Sequence, residues 1–508
     1  MTSPEIRCGD RSRSRDDALK RASRIAAGLA RLGVQPGDRV AVVLRNDIEF
    51  LEVSLGIGQL GAIPVPVNWH WKGSELGYLL SDSGATAAFV HRDLAPVVAE
   101  VLSTPIPLIE VVPSAALREA YQLPDELPPT GPLELESWLA EQDDHVTPPS
   151  APPLSVIYTS GTTGLPKGIL RKPMDAELGD QVRMRIFETF GMAPGMRTLV
   201  PAPLYHSAPN VHGLFAVAAG LDLTIMPRFD PVEFLRLVER QRIQHSQLVP
   251  TMFVRLLKLP EQVRTSFDLS SLVSVVHAAA PCPPAVKRQM IDWWGPIVRE
   301  YYGGSETGPV VACTSEEWLA HPGTVGKAVS SVAIKIYSED GTEAPAGTFG
   351  EVYIGLGPNW PDFTYIGNDA KRLAMERDGF LSLGDGGWLD EDGFLYLSDR
   401  INDMVISGGV NIYPAEIEKC LVALPGVRDA AVFGIPDSEY GEALAAHVDT
   451  NPDSGLTEDD LRAYVRANLA NYKVPKVVVL DRDLPREDSG KLFKRRIRER
   501  YWATQSPA

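Results

Sequence analysis

One stretch of the chain combines the residue types that bind a phosphate group. Residues 158–168 read YTSGTTGLPKG, in which hydroxyl residues alternate with glycines and a single lysine follows. Gly161 and Gly164 would let the backbone approach an anion closely, and Lys167 would add a positive charge. The glycine spacing differs from that of the common nucleoside-triphosphate loop, and Gly168 rather than a hydroxyl residue follows the lysine. These residues alone leave two alternatives open, a phosphate-binding loop and a flexible connection.

The segments before and after this loop alternate between helical and strand patterns. Apolar residues recur at helical spacing over residues 17–32, and the apolar run over residues 39–44 predicts a strand. Beyond the loop, strands are predicted within LTIMPRF (223–229), HSQLVPT (245–251) and LVSVVHAAA (272–280). Strands that alternate with helices in this way predict parallel, doubly wound sheets.

The pattern changes in the last third of the chain. Past Gly323, short apolar segments separated by DG, AG and FG turns predict a small β-barrel. A compact segment follows residue 400, and its Thr457 and Asp460 fit a helix capping box. We therefore predict an α/β protein with two domains. The large N-terminal domain, residues 1–400, would contain doubly wound α/β subdomains and the barrel, and residues 401–508 would form a smaller α+β lid domain.

Composition limits the class of protein. The 508 residues carry a formal net charge of −17, which disfavours nucleic acids and anionic membranes as partners. No run approaches the roughly 18 apolar residues of a membrane span. A proline-rich and acidic stretch, residues 123–153, predicts a surface connection before the loop. The cysteines lack the spacing of a zinc site or a disulfide framework, so we expect a cytoplasmic protein. They are Cys8, Cys282, Cys313 and Cys420.

Five further stretches accompany the loop in a fixed order. They are PAPLYHSAP (201–209), YYGGSETG (301–308), GDGGWLDEDGFLYLSDR (384–400), SGGVNIYPAEIE (407–418) and PREDSGKLFKR (485–495). Together with the loop they resemble the motifs of the adenylate-forming superfamily, which includes the AMP-dependent acyl- and aryl-CoA ligases. The resemblance covers nearly the whole chain.

The resemblance implies a site for ATP and Mg²⁺. It places the aromatic ring of Tyr302 against adenine, the hydroxyl of Ser305 at a phosphate, and Asp385 and Arg400 at the ribose hydroxyls. Glu306 would bind the magnesium ion. The implied ATP-binding residues are Thr159, Ser160, Gly161, Thr162, Thr163, Gly164, Lys167, Ala280, Pro281, Tyr302, Gly303, Ser305, Asp385 and Arg400.

The resemblance also assigns catalytic and substrate-binding roles. Lys491 would be the catalytic lysine of the lid, acting with Glu306 and His206. The acyl pocket would contain His206, Ala279 and Gly304, the tunnel for coenzyme A would be edged by Gly408 and Gly409, and the hinge would lie at Asn402. Without the motifs, Lys491 is more typical of a solvated basic helix, and His206 is typical of a core histidine or a pocket gate.

Three positions depart from the family pattern. Gly304 is smaller than the Met, Leu or Thr common there, which could enlarge the acyl pocket. Leu383 stands where many members have a Thr, and Asn402 where most have Asp or Lys.

The resemblance implies a two-step ligase. ATP would activate a hydrophobic monocarboxylic acid as an acyl-adenylate with release of pyrophosphate, and coenzyme A would then accept the acyl group. The alternative is an amide synthetase, in which an amine captures the adenylate. A non-catalytic nucleotide-binding protein would be of a different class, but both the lysine and the glutamate are present. A homodimer is a further possibility.

Overall fold

The computed structural model describes most of the chain. The described residues are 3–71, 73–144, 149, 152–159, 166–338, 340–400, 405–407, 410–412, 414–437, 441–469, 471–486 and 492–502. Two compact units are present. The first contains Met1–Glu317, Val329–Ser331 and Leu356–Met375, and the second contains the remaining segments. The predicted boundary at residue 400 concerns a mobile lid and stays a prediction.

Strands and helices alternate up to residue 320. The strands are β1 (Glu5–Cys8), β2 (Arg11–Ser14), β3 (Arg39–Val43), β4 (Ile63–Pro66), β5 (Ala85–His91), β6 (Leu108–Val111), β7 (Leu133–Glu134), β8 (Ile157–Thr159), β9 (Lys167–Arg171), β10 (Arg197–Val200), β11 (Asp222–Ile225), β12 (His245–Leu248), β13 (Ser274–His277), β14 (Val298–Tyr302) and β15 (Val311–Cys313). The helices are α1 (Arg15–Arg31), α2 (Ile48–Gln59), α3 (Gly73–Ser83), α4 (Ala95–Val101), α5 (Ala115–Tyr121), α6 (Leu135–Ala140), α7 (Ala176–Phe190), α8 (Ser207–Ala218), α9 (Pro231–Gln241), α10 (Pro250–Leu257), α11 (Glu261–Arg264), α12 (Pro284–Trp294) and α13 (Ser315–Ala320).

The remainder of the chain is richer in strands. Its elements are β16 (Lys327–Ala328), β17 (Val332–Tyr337), β18 (Gly350–Leu356), β19 (Phe363–Tyr365), α14 (Asp369–Ala374), β20 (Glu376–Arg377), β21 (Phe380–Leu389), β22 (Leu395–Arg400), β23 (Val405–Ser407), β24 (Val410–Ile412), α15 (Pro414–Val422), β25 (Val427–Asp437), β26 (Gly441–Thr450), α16 (Glu458–Asn468), β27 (Val477–Leu480) and α17 (Lys494–Trp502). Among the helices that the structure describes, none has the length and apolar character that spanning a membrane requires.

Two sheets of the first unit confirm the predicted parallel, doubly wound arrangement. In one, the strands from β15 to β2 lie in the order β15-β14-β13-β12-β10-β11-β1-β2, and the other has the order β4-β3-β5-β6-β7. The strand pairings described within them are parallel, except those of β14 with β15 and of β1 with β2. Strands buried on both faces read as continuous apolar runs, which is why RVAVV of β3 was recognisable from the sequence.

The prediction of a surface connection over residues 123–153 is wrong for α6. Trp138 and Leu139 of this helix are 6% and 3% exposed. The indole of Trp138 packs so closely on α1 that a Cβ at Gly28 would lie 2.3 Å from it. A helix of six residues is too short to display a clear period, so the surrounding prolines and acids dominated its composition.

The second unit is built on two further sheets. Four strands follow the order β17-β18-β21-β20, with β22 on β21, and closure of this sheet into a barrel stays a prediction. The other sheet has the order β24-β23-β26-β25, with β27 beside β26. The side chain of Thr457 and that of Asp460 cap α16 reciprocally, so the predicted capping box is confirmed.

Candidate active site

The glycine-rich loop connects two antiparallel strands. Strand β8 ends at Thr159, β9 begins at Lys167, and these two residues are cross-strand partners. The loop residues from Ser160 to Gly164 lie outside the described residues. A Cβ at Gly168 would lie 2.7 Å from the ring of Tyr158. This contact explains why glycine rather than a hydroxyl residue follows the lysine.

The turn between β14 and β15 carries the residues predicted to meet adenine, phosphate and metal. A Cβ at Gly303 would lie 1.9 Å from the carbonyl oxygen of Gly308, so only glycine fits there. The N–H of Gly308 donates to the carbonyl of Gly304 at 2.8 Å. The N–H of Gly304 in turn donates to the hydroxyl of Thr307 at 3.1 Å. These contacts fix the turn that presents Ser305 and Glu306.

Side chains from two other strands hold this turn. Arg171, the last residue of β9, donates from Nη2 to the carbonyl oxygen of Ser305 and from Nη1 to that of Glu306, both at 2.6 Å. The hydroxyl of Tyr365 in β19 donates to Oε1 of Glu306 at 2.9 Å. Desolvation lowers the pKa of the Arg171 guanidinium to about 10, against the opposing charges of Glu306 and Asp362. The guanidinium therefore remains protonated at pH 7.

The carboxyl ends of β13 and β14 bring the predicted adenine-binding residues to one sheet edge. These strands are parallel neighbours, and half-buried Tyr302 is the last residue of β14. Ala279 follows β13 by two residues and has a φ of +75°, a conformation that costs a non-glycine residue energy and clusters at functional sites. Ala280 and Pro281 come next. Ligands of open α/β sheets bind at this edge.

His206 lies at the N-cap of α8, where its side chain makes no capping hydrogen bond. Its ring lies against that of Tyr205, with centroids 4.4 Å apart. The backbone before it is held by Asn46, which follows β3: the side-chain oxygen of Asn46 accepts from the N–H of Leu204 at 2.7 Å. The backbone that leads into α8 at His206 is therefore held in place by Asn46.

A buried chain of hydrogen bonds links α8 to strands β10 and β12. The carbonyl of Phe190 can only accept, so Nε2 of His245, 2.9 Å away, carries the proton and Nδ1 accepts from the hydroxyl of Thr198 at 2.8 Å. The Thr198 oxygen then accepts from Nε2 of His212 in α8 at 2.7 Å. Burial lowers the pKa of His245 to about 4 and that of His212 well below its usual range. Both histidines are therefore neutral at pH 7.

In the second unit the two predicted ribose-binding residues meet across a strand pair. Asp385 of β21 and Arg400 of β22 are cross-strand partners, and the register shifts immediately after them, between Asp385 and Gly387. Such irregularities are frequent next to active sites because they redirect side chains. The sequence placed these residues fifteen positions apart, and the hairpin brings their Cα atoms opposite each other.

Several predicted residues cannot be located in this geometry. Asn402, Gly408, Gly409 and Lys491 lie outside the described residues. Strand β23 begins shortly after Asn402, β24 begins immediately after Gly409, and α17 begins three residues after Lys491.

The residues present are compatible with a magnesium site completed by substrate. Within the described part of the chain, no group of three or more His, Cys, Asp or Glu side chains could enclose a metal ion. Mg²⁺ is usually held by one or two carboxylates together with substrate phosphates. Glu306, with one carboxylate oxygen oriented by Tyr365, matches that mode.

Sequence reasoning missed Asn46, Arg171 and Tyr365 as residues that organise the site. Arg171 lies only four residues after Lys167 and could have been noticed as a charge on a predicted strand. Its partners lie more than 130 positions further along the chain, and Asn46 reaches across to another sheet. Nothing in the local sequence reveals either contact.

Comparison with known proteins gives consistent matches. Residues 3–360 match the AMP-binding enzyme family, and residues 416–491 match the AMP-binding enzyme C-terminal domain. A feruloyl-CoA synthase of Amycolatopsis is 33% identical over 98% of this chain and 95% of its own length. A long-chain-fatty-acid–CoA ligase of Mycobacterium tuberculosis is 30% identical over 95% and 92%.

Among solved structures, the amide bond synthetase McbA from Marinactinospora thermotolerans superimposes with a TM-score of 0.82 at 25% identity, covering 99% of this chain and 97% of that one. The residues matched by the two family models include the glycine-rich loop and the turn with Glu306. With both family models matched in order along the sequence, the chain belongs to the AMP-binding enzymes of the adenylate-forming superfamily.

Proposed function

We propose that the protein is an AMP-forming carboxylate–CoA ligase. Strand β9 supports this proposal most directly. Its five residues begin at Lys167 of the glycine-rich loop and end at Arg171, whose guanidinium binds the turn that contains Glu306. At about 3.3 Å per residue, the strand places the two ends about 13 Å apart. One strand therefore links the predicted phosphate-binding loop to the predicted metal carboxylate.

In the first step a carboxylate oxygen of the acid attacks the α-phosphorus of ATP, and pyrophosphate leaves. Two anions must approach each other, so fixed cations and hydrogen-bond donors directed at the developing charge lower the barrier most. Lys167 and the loop hydroxyls would hold the phosphates, and Lys491 would neutralise charge between the carboxylate and the α-phosphate. A magnesium ion bound by Glu306 would neutralise charge on the phosphates.

In the second step the thiol sulfur of coenzyme A attacks the acyl carbonyl and AMP leaves. The adenylate is prone to hydrolysis, so the site must exclude water and then admit the thiol. We infer that residues 401–508 act as the lid that does both, with Asn402 at the hinge and Gly408 and Gly409 beside the entering thiol. Asp385 and Arg400 would hold the ribose at the base of this lid.

The acid is proposed to be a hydrophobic monocarboxylate. Residues 206–214 and 277–281, which would line the pocket with Gly304, contain no lysine or arginine to bind a second carboxylate. The feruloyl-CoA synthase and the fatty-acid ligase among the relatives act on acids of this kind.

A screen of acids tests this proposal. Pyrophosphate release should be measured with ATP and each acid of a series at the same concentration. The series contains monocarboxylates that are aromatic, medium-chain or long-chain, together with dicarboxylates and amino acids. Turnover restricted to the monocarboxylates is expected. A clear preference for dicarboxylates or amino acids would contradict the pocket assignment.

A second candidate, the amide synthetase, shares the first step. The similarity to the amide bond synthetase McbA favours it, and the two candidates differ only in the nucleophile that consumes the adenylate.

A further inference from the structure

We propose that Arg171 is a positioning residue that fixes the orientation of Glu306 and thereby sets how tightly the divalent metal is held with ATP. This inference rests on the proposed function, because it takes Glu306 as the metal carboxylate. The family resemblance gave Arg171 no role.

The first observation is that three consecutive backbone carbonyls of the turn are each bound by a side chain. Arg171 binds those of Ser305 and Glu306 at 2.6 Å. The indole N–H of Trp360 donates to that of Thr307 at 2.7 Å. Two donors of one rigid guanidinium on adjacent carbonyls leave the peptide between them little freedom to rotate.

The second observation is that the carboxylate itself is oriented from the neighbouring strand. Strands β9 and β19 are antiparallel, with Arg171 opposite Phe363 and Ile169 opposite Tyr365. Tyr365 donates to Oε1 of Glu306 at 2.9 Å. One strand pair therefore fixes both the backbone and the side chain of Glu306.

The third observation is that the hydrogen-bond partners of the Arg171 guanidinium are neutral carbonyl oxygens. Lysine could not replace it, because a single ammonium on a flexible stem does not match two fixed acceptors. Partners that orient a metal ligand typically change metal affinity by about 10- to 100-fold when they are removed.

The test measures binding of a non-hydrolysable ATP analogue by calorimetry, with saturating Mg²⁺ and with a chelator. The parent protein should bind the analogue more tightly with Mg²⁺. The Mg²⁺-dependent gain is the ratio of the affinity with Mg²⁺ to the affinity with chelator. In Arg171→Gln this gain should fall by about tenfold, while the affinity with chelator stays at the parent level. Arg171→Lys, which keeps the charge, should recover only part of the gain, and it also serves if the glutamine variant does not fold.

Lys172→Gln is the matched control. Lys172 is exposed, is next in sequence and pairs with Asp362 at 2.6 Å, so its loss should leave the Mg²⁺-dependent gain unchanged. A parent-like gain in Arg171→Gln, a full recovery in Arg171→Lys, or equal weakening with and without Mg²⁺ would each overturn the proposal.

Glu306→Gln distinguishes failure of this inference from failure of the proposed function. If Glu306→Gln abolishes the Mg²⁺-dependent gain while Arg171→Gln retains it, only the role of Arg171 is wrong. If Glu306→Gln retains the gain, the metal assignment itself is wrong and the inference fails with it.

Discussion

The side-chain oxygen of Asn46 accepts a hydrogen bond from the backbone N–H of Leu204 at 2.7 Å, two residues before His206. The amide nitrogen of Asn46 donates to the carbonyls of Ala202 at 2.9 Å and Met226 at 3.1 Å. Asn46 follows a strand of one parallel sheet, and these partners follow strands of the other. One buried amide therefore joins the two sheets where the His206 segment leaves its strand.

Asn46→Asp should loosen this segment. An ionised carboxylate would keep the acceptor for Leu204 but would face the carbonyls of Ala202 and Met226 with no donor, a loss of roughly 1 to 3 kcal/mol in unfolding free energy. The KM for the acid should rise more than the KM for ATP. Steady-state kinetics and urea unfolding measure both effects.

Asn68→Asp is the control for this substitution. The oxygen of Asn68 accepts from the N–H of His70 at 3.1 Å, a role that a carboxylate can also fill. If both variants change the KM for the acid to the same extent, Asn46 does not hold the segment that contains His206.

Gly304→Met should separate acids by size. If Gly304 lines the acyl pocket, the larger side chain should penalise bulky acids by about 1 to 3 kcal/mol through overpacking and spare the smallest substrate. Specificity constants across a graded acid series measure this. Equal losses for large and small acids would remove Gly304 from the pocket.

Gly303→Ala provides the contrast in the same turn. Its new Cβ would overlap the carbonyl oxygen of Gly308, so every acid should lose activity together.

Stability should depend on pH through the buried histidines. The pKa of His245 is lowered to about 4 in the folded protein from an ordinary 6.5. In this interval the unfolded chain binds a proton that the folded chain does not. The contribution of each such histidine to the free energy of unfolding should therefore be complete above pH 6.5. It should decrease as the pH drops towards 4, by up to about 1.4 kcal/mol per pH unit.

Urea unfolding of His245→Gln and of the parent between pH 7.5 and 4.5 measures this contribution. The gap in stability between the two should narrow as the pH falls. His70→Gln, which alters an exposed histidine, should be measured alongside as the control substitution. A gap for His245→Gln that stays constant with pH would show that His245 is not neutral in the fold.

Lys491→Ala should reduce adenylate formation by roughly 100-fold or more, the usual scale for removing one preorganised donor to a developing charge. The second step should be largely spared, because the lid would have turned away before coenzyme A attacks. Rapid-quench measurement of adenylate formation, and of thioester formation from ready-made adenylate, separates the two steps.

Lys494→Ala is the control in the same basic run. Its ammonium pairs with Glu418 at 2.9 Å within the second unit, so its loss should leave adenylation intact. Equal damage to both steps by Lys491→Ala would indicate a structural lysine or the absence of a lid exchange.

The sequence was informative where a physical requirement is local. The capping box at Thr457 spans only four residues, and β3 is an almost continuous apolar run. Arg171, Tyr365 and Asn46 were missed because their roles depend on partners from distant strands. The helix containing Trp138 was missed because six residues show no clear period.

The nucleophile of the second step decides the central claim. The protein should be incubated with ATP, Mg²⁺ and the best acid from the screen, with coenzyme A, with an amine, or with neither, and the products followed by mass spectrometry. We expect coenzyme A to consume the adenylate and to yield the acyl thioester together with AMP. An adenylate that persists with coenzyme A and disappears only with the amine, to form an amide, would contradict it.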